Sequence, residues 1–213
     1  MRRELVYVGD PLCGWCFGFT EIFEKIIEKY KNTFNISIVM GGLKVKDSIM
    51  VNSKTKGFIV KNWNNVMTTT GQEFAVDLID SLPEGEYNSE PLCRAVVTVK
   101  KLKPACAVPY YKALHKAMYL EGKKINDPEL LCEIATKFGV LDTVFNTKFA
   151  SEEIKAETQK EFDYAKNVGV LGFPAFVLVD ETGSFVLNQG YKPLQNIELG
   201  IENWINGVKQ IIF

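Results

Sequence analysis

The stretch Asp10-Pro11-Leu12-Cys13-Gly14-Trp15-Cys16-Phe17-Gly18-Phe19 decides how this chain reads. Before it stands Glu4-Leu5-Val6-Tyr7-Val8-Gly9, an apolar run rich in β-branched and aromatic residues, which predicts a strand. After it stands Glu21-Ile22-Phe23-Glu24-Lys25-Ile26-Ile27-Glu28-Lys29-Tyr30, apolar at helical spacing. A Cys-x-x-Cys pair therefore sits where a strand hands over to a helix. The first turn of a helix offers unpaired backbone N–H groups and a positive dipole end, and both favour a thiolate. The spacing puts Cys13 at the mouth of that turn and Cys16 one turn on, within reach of the first sulfur. The pattern predicts an exposed, low-pKa thiolate with a resolving partner, the arrangement that thiol–disulfide exchange needs.

Two other uses of the pair compete with this. A structural zinc site needs a second close pair or two His; Cys93, Cys106 and Cys132 are widely spaced and His115 is the single His. Two packed cysteines without chemistry are the other. The strand–motif–helix context favours redox chemistry over both, with no metal.

The length of 213 residues suits one domain, or one domain with a large insertion. With 46% apolar and 24% charged residues the chain can bury a sizeable core. A net charge of −1, without basic clustering, excludes a nucleic-acid footprint. Five cysteines in a chain of this length do not make a disulfide scaffold. Met1-Arg2-Arg3 is basic, but the apolar run behind it is too short for a signal-peptide core and is broken by Gly9 and Asp10. The apolar stretch from Val170 to Val179 holds Pro174 and is about half a membrane span. These features read as a soluble cytoplasmic protein. No cofactor is called for, and the oligomeric state stays open.

Working outward, Asn35–Met40 predicts a second strand, ended by Gly41-Gly42, so strand, helix and strand form a βαβ unit with parallel strands. From about Val45 to Val168 strand signals nearly vanish. Helices are predicted over 57–70, 91–103, 109–120, 129–138, 142–149 and 151–168, several opened by a capping residue or Pro and closed by Gly. Strands return at 173–179 and 184–187 around the turn Asp180-Glu181-Thr182-Gly183, and a helix over 193–208 closes the chain. The expected architecture is α/β: a sheet domain from 1–44 and 169–213 with a mixed sheet, and an all-helical insertion domain at 45–168.

This layout, with Cys13-Gly14-Trp15-Cys16 after the first strand and Gly172-Phe173-Pro174-Ala175-Phe176 opening the third, resembles the thioredoxin superfamily. The helical block narrows the resemblance to the DsbA family. The run Tyr7 to Phe19 is most similar to its FrnE-type branch of disulfide isomerases. The resemblance implies that Cys13 is the nucleophile, that Cys16 resolves the mixed disulfide, and that Pro174 is a cis proline opposite the pair. Phe173 and Pro174 would then bind an extended substrate strand, with Trp15 beside it. The other reading of Pro174 is a proline opening an edge strand. Trp15 either contacts unfolded substrate or packs over the sulfurs. Gly14 and Trp15 are not ionisable, whereas periplasmic oxidants of the family carry His there; Tyr7 stands where several relatives have a buried acid, and Asp10 lies nearer the motif. The pair is therefore expected to be less oxidising than those oxidants, closer to a reductase or isomerase.

Phe17 and Phe19 read as core or groove wall, and His115 as an insertion-helix residue without catalytic duty. Cys93, Cys106 and Cys132 read as small hydrophobes in helices, with a second disulfide between two of them as the alternative. Partners on this reading are polypeptide or small thiol and disulfide substrates. Two rivals remain: a cytoplasmic adaptor of the same fold, and a kappa-type glutathione-dependent transferase or isomerase, a class that commonly has Ser in place of Cys13.

Overall fold

The computed structural model describes residues 3–208. Met1, Arg2 and residues 209–213, the outer ends of the expected sheet domain, lie outside it. Strand β1 (Glu4–Gly9) pairs in parallel with β2 (Asn35–Met40) and antiparallel with β5 (Ala175–Asp180), which pairs antiparallel with β6 (Gly183–Val186). The sheet is mixed, in the order β2-β1-β5-β6. Side chains alternate between the faces of a strand, and here both faces are covered. Leu5 and Tyr7 join the large cluster with Phe23, Phe176, Ile201 and Trp204, while Val6 and Val8 meet Ala165, Ala175 and Val177 behind the sheet. Double burial is why β1 and β5 read as unbroken apolar runs.

The helix after the motif comes in two pieces. Helix α1 (Gly14–Gly18) starts directly at Cys13, and α2 (Thr20–Tyr30) resumes after Phe19. The spacing places the mouth of the helix at Cys13, as found, but carries no sign of the break at Phe19. A close approach accompanies the break: a Cβ on Gly18 would come within 2.6 Å of the Val66 side chain on α3 (Lys56–Thr70). Thr20 Oγ1 also donates to the Phe17 carbonyl at 2.7 Å.

The remaining helices are α4 (Ser89–Leu102), α5 (Ala107–Tyr119), α6 (Pro128–Thr136), α7 (Asp142–Ala150), α8 (Glu152–Asn167) and α9 (Leu194–Ile205). Their starts follow local chemistry. Asn88, Asp127 and Ser151 cap α4, α6 and α8 through side-chain oxygens that accept backbone N–H groups. The insertion also holds a two-stranded antiparallel ribbon of β3 (Ile49–Val51) and β4 (Gly85–Tyr87). Three-residue strands are too short to show an alternation in sequence. The helical block is tied to the sheet by a polar seam. Lys100 Nζ donates to the Ile38 carbonyl at 2.9 Å and to the Glu161 carboxylate, whose other oxygen accepts the Met40 N–H at 2.7 Å. Among the described residues no helix is long and apolar enough to cross a membrane.

Candidate active site

Cys13 caps α1. Its backbone is extended (φ −93°, ψ 108°), and its Sγ accepts the Cys16 N–H at 3.3 Å. A sulfur held on the free amide of a helix's first turn is the geometry that stabilises negative charge there. Cys16 follows one turn later, and both thiols are free. The Phe173–Pro174 peptide is cis, and the Phe173 carbonyl lies 3.9 Å from Cys13 Sγ. This loop is fixed from behind by the fully buried Asn188, whose amide donates to the Pro174 carbonyl at 3.2 Å and whose oxygen accepts the Phe176 N–H at 2.9 Å. The Phe173 ring lies over Gly41, where a Cβ would come within 2.1 Å of it. The fold thus brings Cys13, Cys16, Phe173 and Pro174 to one place. Trp15 stands outward beside them, 37% exposed, against the Tyr191 ring.

One expectation is corrected. The sequence suggested an exposed thiolate of low pKa, but Cys13 is only 5% and Cys16 only 1% exposed. The side-chain hydrogen bond with Cys16 and then burial push the Cys13 thiol well above its ordinary range, with a further upward push from Asp10; the Cys16 amide pulls the other way. The helix insertion covers the pair from the side the sequence could not see.

Beneath the motif lies a buried polar cluster. Asp10, with no exposed surface, accepts the Leu12 N–H at 2.8 Å, the Leu43 N–H at 2.7 Å, Ser89 Oγ at 3.0 Å and the Cys93 thiol at 3.4 Å. Burial raises its pKa, against those four hydrogen bonds. Asp10 therefore joins the motif loop, the turn after β2 and α4. His115 Nε2 lies 3.2 Å from the Asp10 carbonyl, and Nδ1 has no partner among the described residues. Burial lowers the His115 pKa to about 4, so the ring is neutral and its Nε2–H is the donor. Tyr7 stacks on Phe23 and its hydroxyl meets Tyr111. The single signal for this cluster in the sequence is an acid next to the motif; apart from Leu12, its partners are 33 to 105 residues away.

Phe17 and Phe19 are buried, as core or groove wall requires. Cys93, Cys106 and Cys132 are free and meet three different oxygens, those of Asp10, Phe138 and Asp142.

The profile of the DSBA-like thioredoxin domain family matches residues 4–199. A candidate protein disulfide isomerase from Nitrosomonas europaea is similar in structure with a TM-score of 0.87 at 29% identity, covering 97% of this chain and 99% of that one. The cytosolic disulfide reductase DsbM from Pseudomonas aeruginosa is similar with a TM-score of 0.77 at 21% identity, over 95% of this chain and 98% of that one; it is also known with GSH, at a TM-score of 0.75. The ClpXP adapter protein SpxH of Halalkalibacterium halodurans is 21% identical over 225 residues, 95% of this chain and 72% of that protein. Likeness at 21% speaks to the fold alone.

Proposed function

The chain belongs to the DSBA-like thioredoxin domain family, and from that premise we propose that it is a thiol–disulfide oxidoreductase of the protein disulfide reductase or isomerase type, working in the cytoplasm. One observation carries the reading: Cys13 Sγ accepts the Cys16 amide at the start of α1, beside the Phe173 carbonyl. The FrnE-type assignment within the family rests on the motif run from Tyr7 to Phe19.

In the reductive direction the Cys13 thiolate attacks one sulfur of a client disulfide. The client S–S bond breaks, one client thiolate leaves and is protonated from solvent, and a mixed disulfide forms. The Cys16 thiolate then attacks Cys13 Sγ, the second client thiolate leaves, and a Cys13–Cys16 disulfide remains. Two electrons have passed to the client. A low-molecular-weight thiol restores the pair, a class supported by the GSH found with DsbM. Phe173 and Pro174 border the strand-binding position, and Trp15 flanks it. The reductase or isomerase direction is supported by what surrounds Cys13. Neither residue between the cysteines is ionisable, while Cys16, burial and Asp10 push the thiol up. A less favoured thiolate stabilises the reduced form less.

The test is covalent. Cys16→Ser should accumulate client proteins on Cys13 as mixed disulfides that dithiothreitol releases; no adduct would count against the exchange reading. A redox titration should place the pair at roughly −200 to −270 mV, the range of glutaredoxins and thioredoxin; a value near −120 mV would reject the direction. The second reading is an adaptor of the same fold, the role that the SpxH name carries. Full cellular function of the Cys13→Ala, Cys16→Ala double variant would establish it instead.

A further inference from the structure

A groove of about 360 Å³ opens beside Cys13, between α1, α3 and the β3–β4 ribbon. That volume is within the range of ligand sites. Leu12 and Gly14, the neighbours of Cys13 in the chain, line it, so it runs alongside the motif. Its floor is apolar, with Val51, Trp63 and Tyr87 buried, and two outward aromatics flank it: Trp15 on α1 and Phe58, 68% exposed, on α3. Trp15 and Phe58 carry the apolar floor out to the surface, and a contiguous apolar patch marks a recognition surface.

The charge of the rim selects among partners. Lys44 is the charged side chain among the lining residues, and none of them is acidic. Within segment 43–62, Lys44 lines the groove and Asp47 is the single acid, while Lys56 is engaged by the Asp80 carbonyl at 2.8 Å. Asp47 is held by Lys44 at 2.8 Å in an exposed pair, which a competing carboxylate can replace at little cost. Glu86 does not offset this. It is paired with Met50 across the ribbon, while Ile49, Val51 and Tyr87 line the groove, so Met50 and Glu86 are on the other face.

We infer that this groove holds the client polypeptide next to its reacting cysteine, and that it selects an acidic segment with an aromatic or large aliphatic side chain a few residues from that cysteine. The inference rests on the exchange reading and names its substrate class. The apolar side chain enters between Trp15 and Phe58, and the carboxylate replaces Asp47 on Lys44. Apolar burial supplies affinity; Lys44 supplies discrimination and encounter rate.

The experiment uses the full chain and fluorescein-labelled peptides in which Ser replaces the cysteine, so that binding is read without chemistry. The reference peptide is acidic with one Phe; in the others Lys replaces the acids, or Ser replaces the Phe. The acidic Phe peptide should bind about tenfold more tightly than either, a difference of about 1.4 kcal/mol. Phe58→Ser should remove the preference for Phe, and Lys44→Glu should invert the preference for acids. The same ranking should appear in kcat/KM for the matching peptide mixed disulfides. Hydroxyethyl disulfide, small and uncharged, reports the exchange reaction itself. Its turnover without any peptide preference overturns the groove and leaves the exchange reading standing. Peptide preference with no disulfide turned over rejects the occupant as an exchange substrate. A concentration-dependent dimer that excludes the peptide, or tighter binding of the lysine peptide, also overturns the inference.

Discussion

Cys13 and Cys93 are both thiols near the carboxylate of Asp10, both are covered by protein, and both are pushed well above the ordinary range of a thiol. They differ in what else they touch. Cys13 sits on the free amide of a helix start, has a second sulfur one turn on, lies beside the Phe173 carbonyl, and has chain neighbours, Leu12 and Gly14, that line a groove. Cys93 is in the body of α4, fully enclosed, with its thiol on Asp10. The comparison teaches that a partner sulfur and a helix-start amide set Cys13 apart, more than the ease of losing a proton does. The first way to break it is direct. Cys13→Ala should lower disulfide turnover roughly a thousandfold or more, as loss of a nucleophile does, whereas Cys93→Ala should stay within about twofold at a cost of roughly 1 kcal/mol in stability. Alkylation of the folded protein followed by mass spectrometry should find Cys13 modified and Cys93 protected. Equal labelling of both would dissolve the distinction.

Asp10 sharpens the comparison, because it touches both sides. An Asn at this position keeps one acceptor oxygen and turns an NH₂ toward donors that Asp10 now satisfies. Two buried donors left unpaired at roughly 2 kcal/mol each predict a loss of about 4 kcal/mol for Asp10→Asn in denaturant unfolding. Removing the charge should also let the Cys13 thiol titrate lower, since Asp10 is one of the groups pushing it up. Thiolate absorbance against pH reads that change. A Cys13 titration unmoved in a stable Asp10→Asn protein would separate the buried cluster from the chemistry.

The two regions were unequally legible in the sequence. The sheet was readable because β1 and β5 are buried on both faces, so their apolar runs are continuous whatever the partner strand. Two helix starts were readable because caps are local: Asp127 and Ser151 act within a few residues, whereas the Asn88 cap of α4 escaped and Pro91 marked that start instead. The cluster under the motif was not readable. Asp10 finds its partners on the turn after β2 and on α4, and the Asp10 carbonyl meets α5, so tertiary packing alone assembles the group. The cover over Cys13 has the same origin: α3 and α5 close on α1, and a helix terminus that looks open in sequence is enclosed in the fold. The groove walls escaped for a related reason, since a three-residue ribbon and one outward Phe carry no periodic signal.

The last expected effect concerns His115, a titratable group of the enclosed side. Its folded pKa is lowered from 6.5 to about 4 by burial. Between these values the unfolded chain takes up a proton that the folded chain refuses, so stability falls as pH drops from about 6.5 toward 4 and is fully present above 6.5. The shift sets an upper bound of roughly 3 kcal/mol. Asp10 and Glu161, whose folded pKa values burial raises, act in the opposite sense just above the ordinary carboxylate range, so the wild-type curve alone mixes the contributions. The difference between wild type and His115→Phe removes the two carboxylates and leaves the imidazole. That difference should shrink by up to about 3 kcal/mol on acidification from pH 7 to pH 4. A constant difference would mean that His115 takes up its proton equally in both states. The polar cluster would then be open to water, and its contrast with the mouth at Cys13 would fail from the buried side.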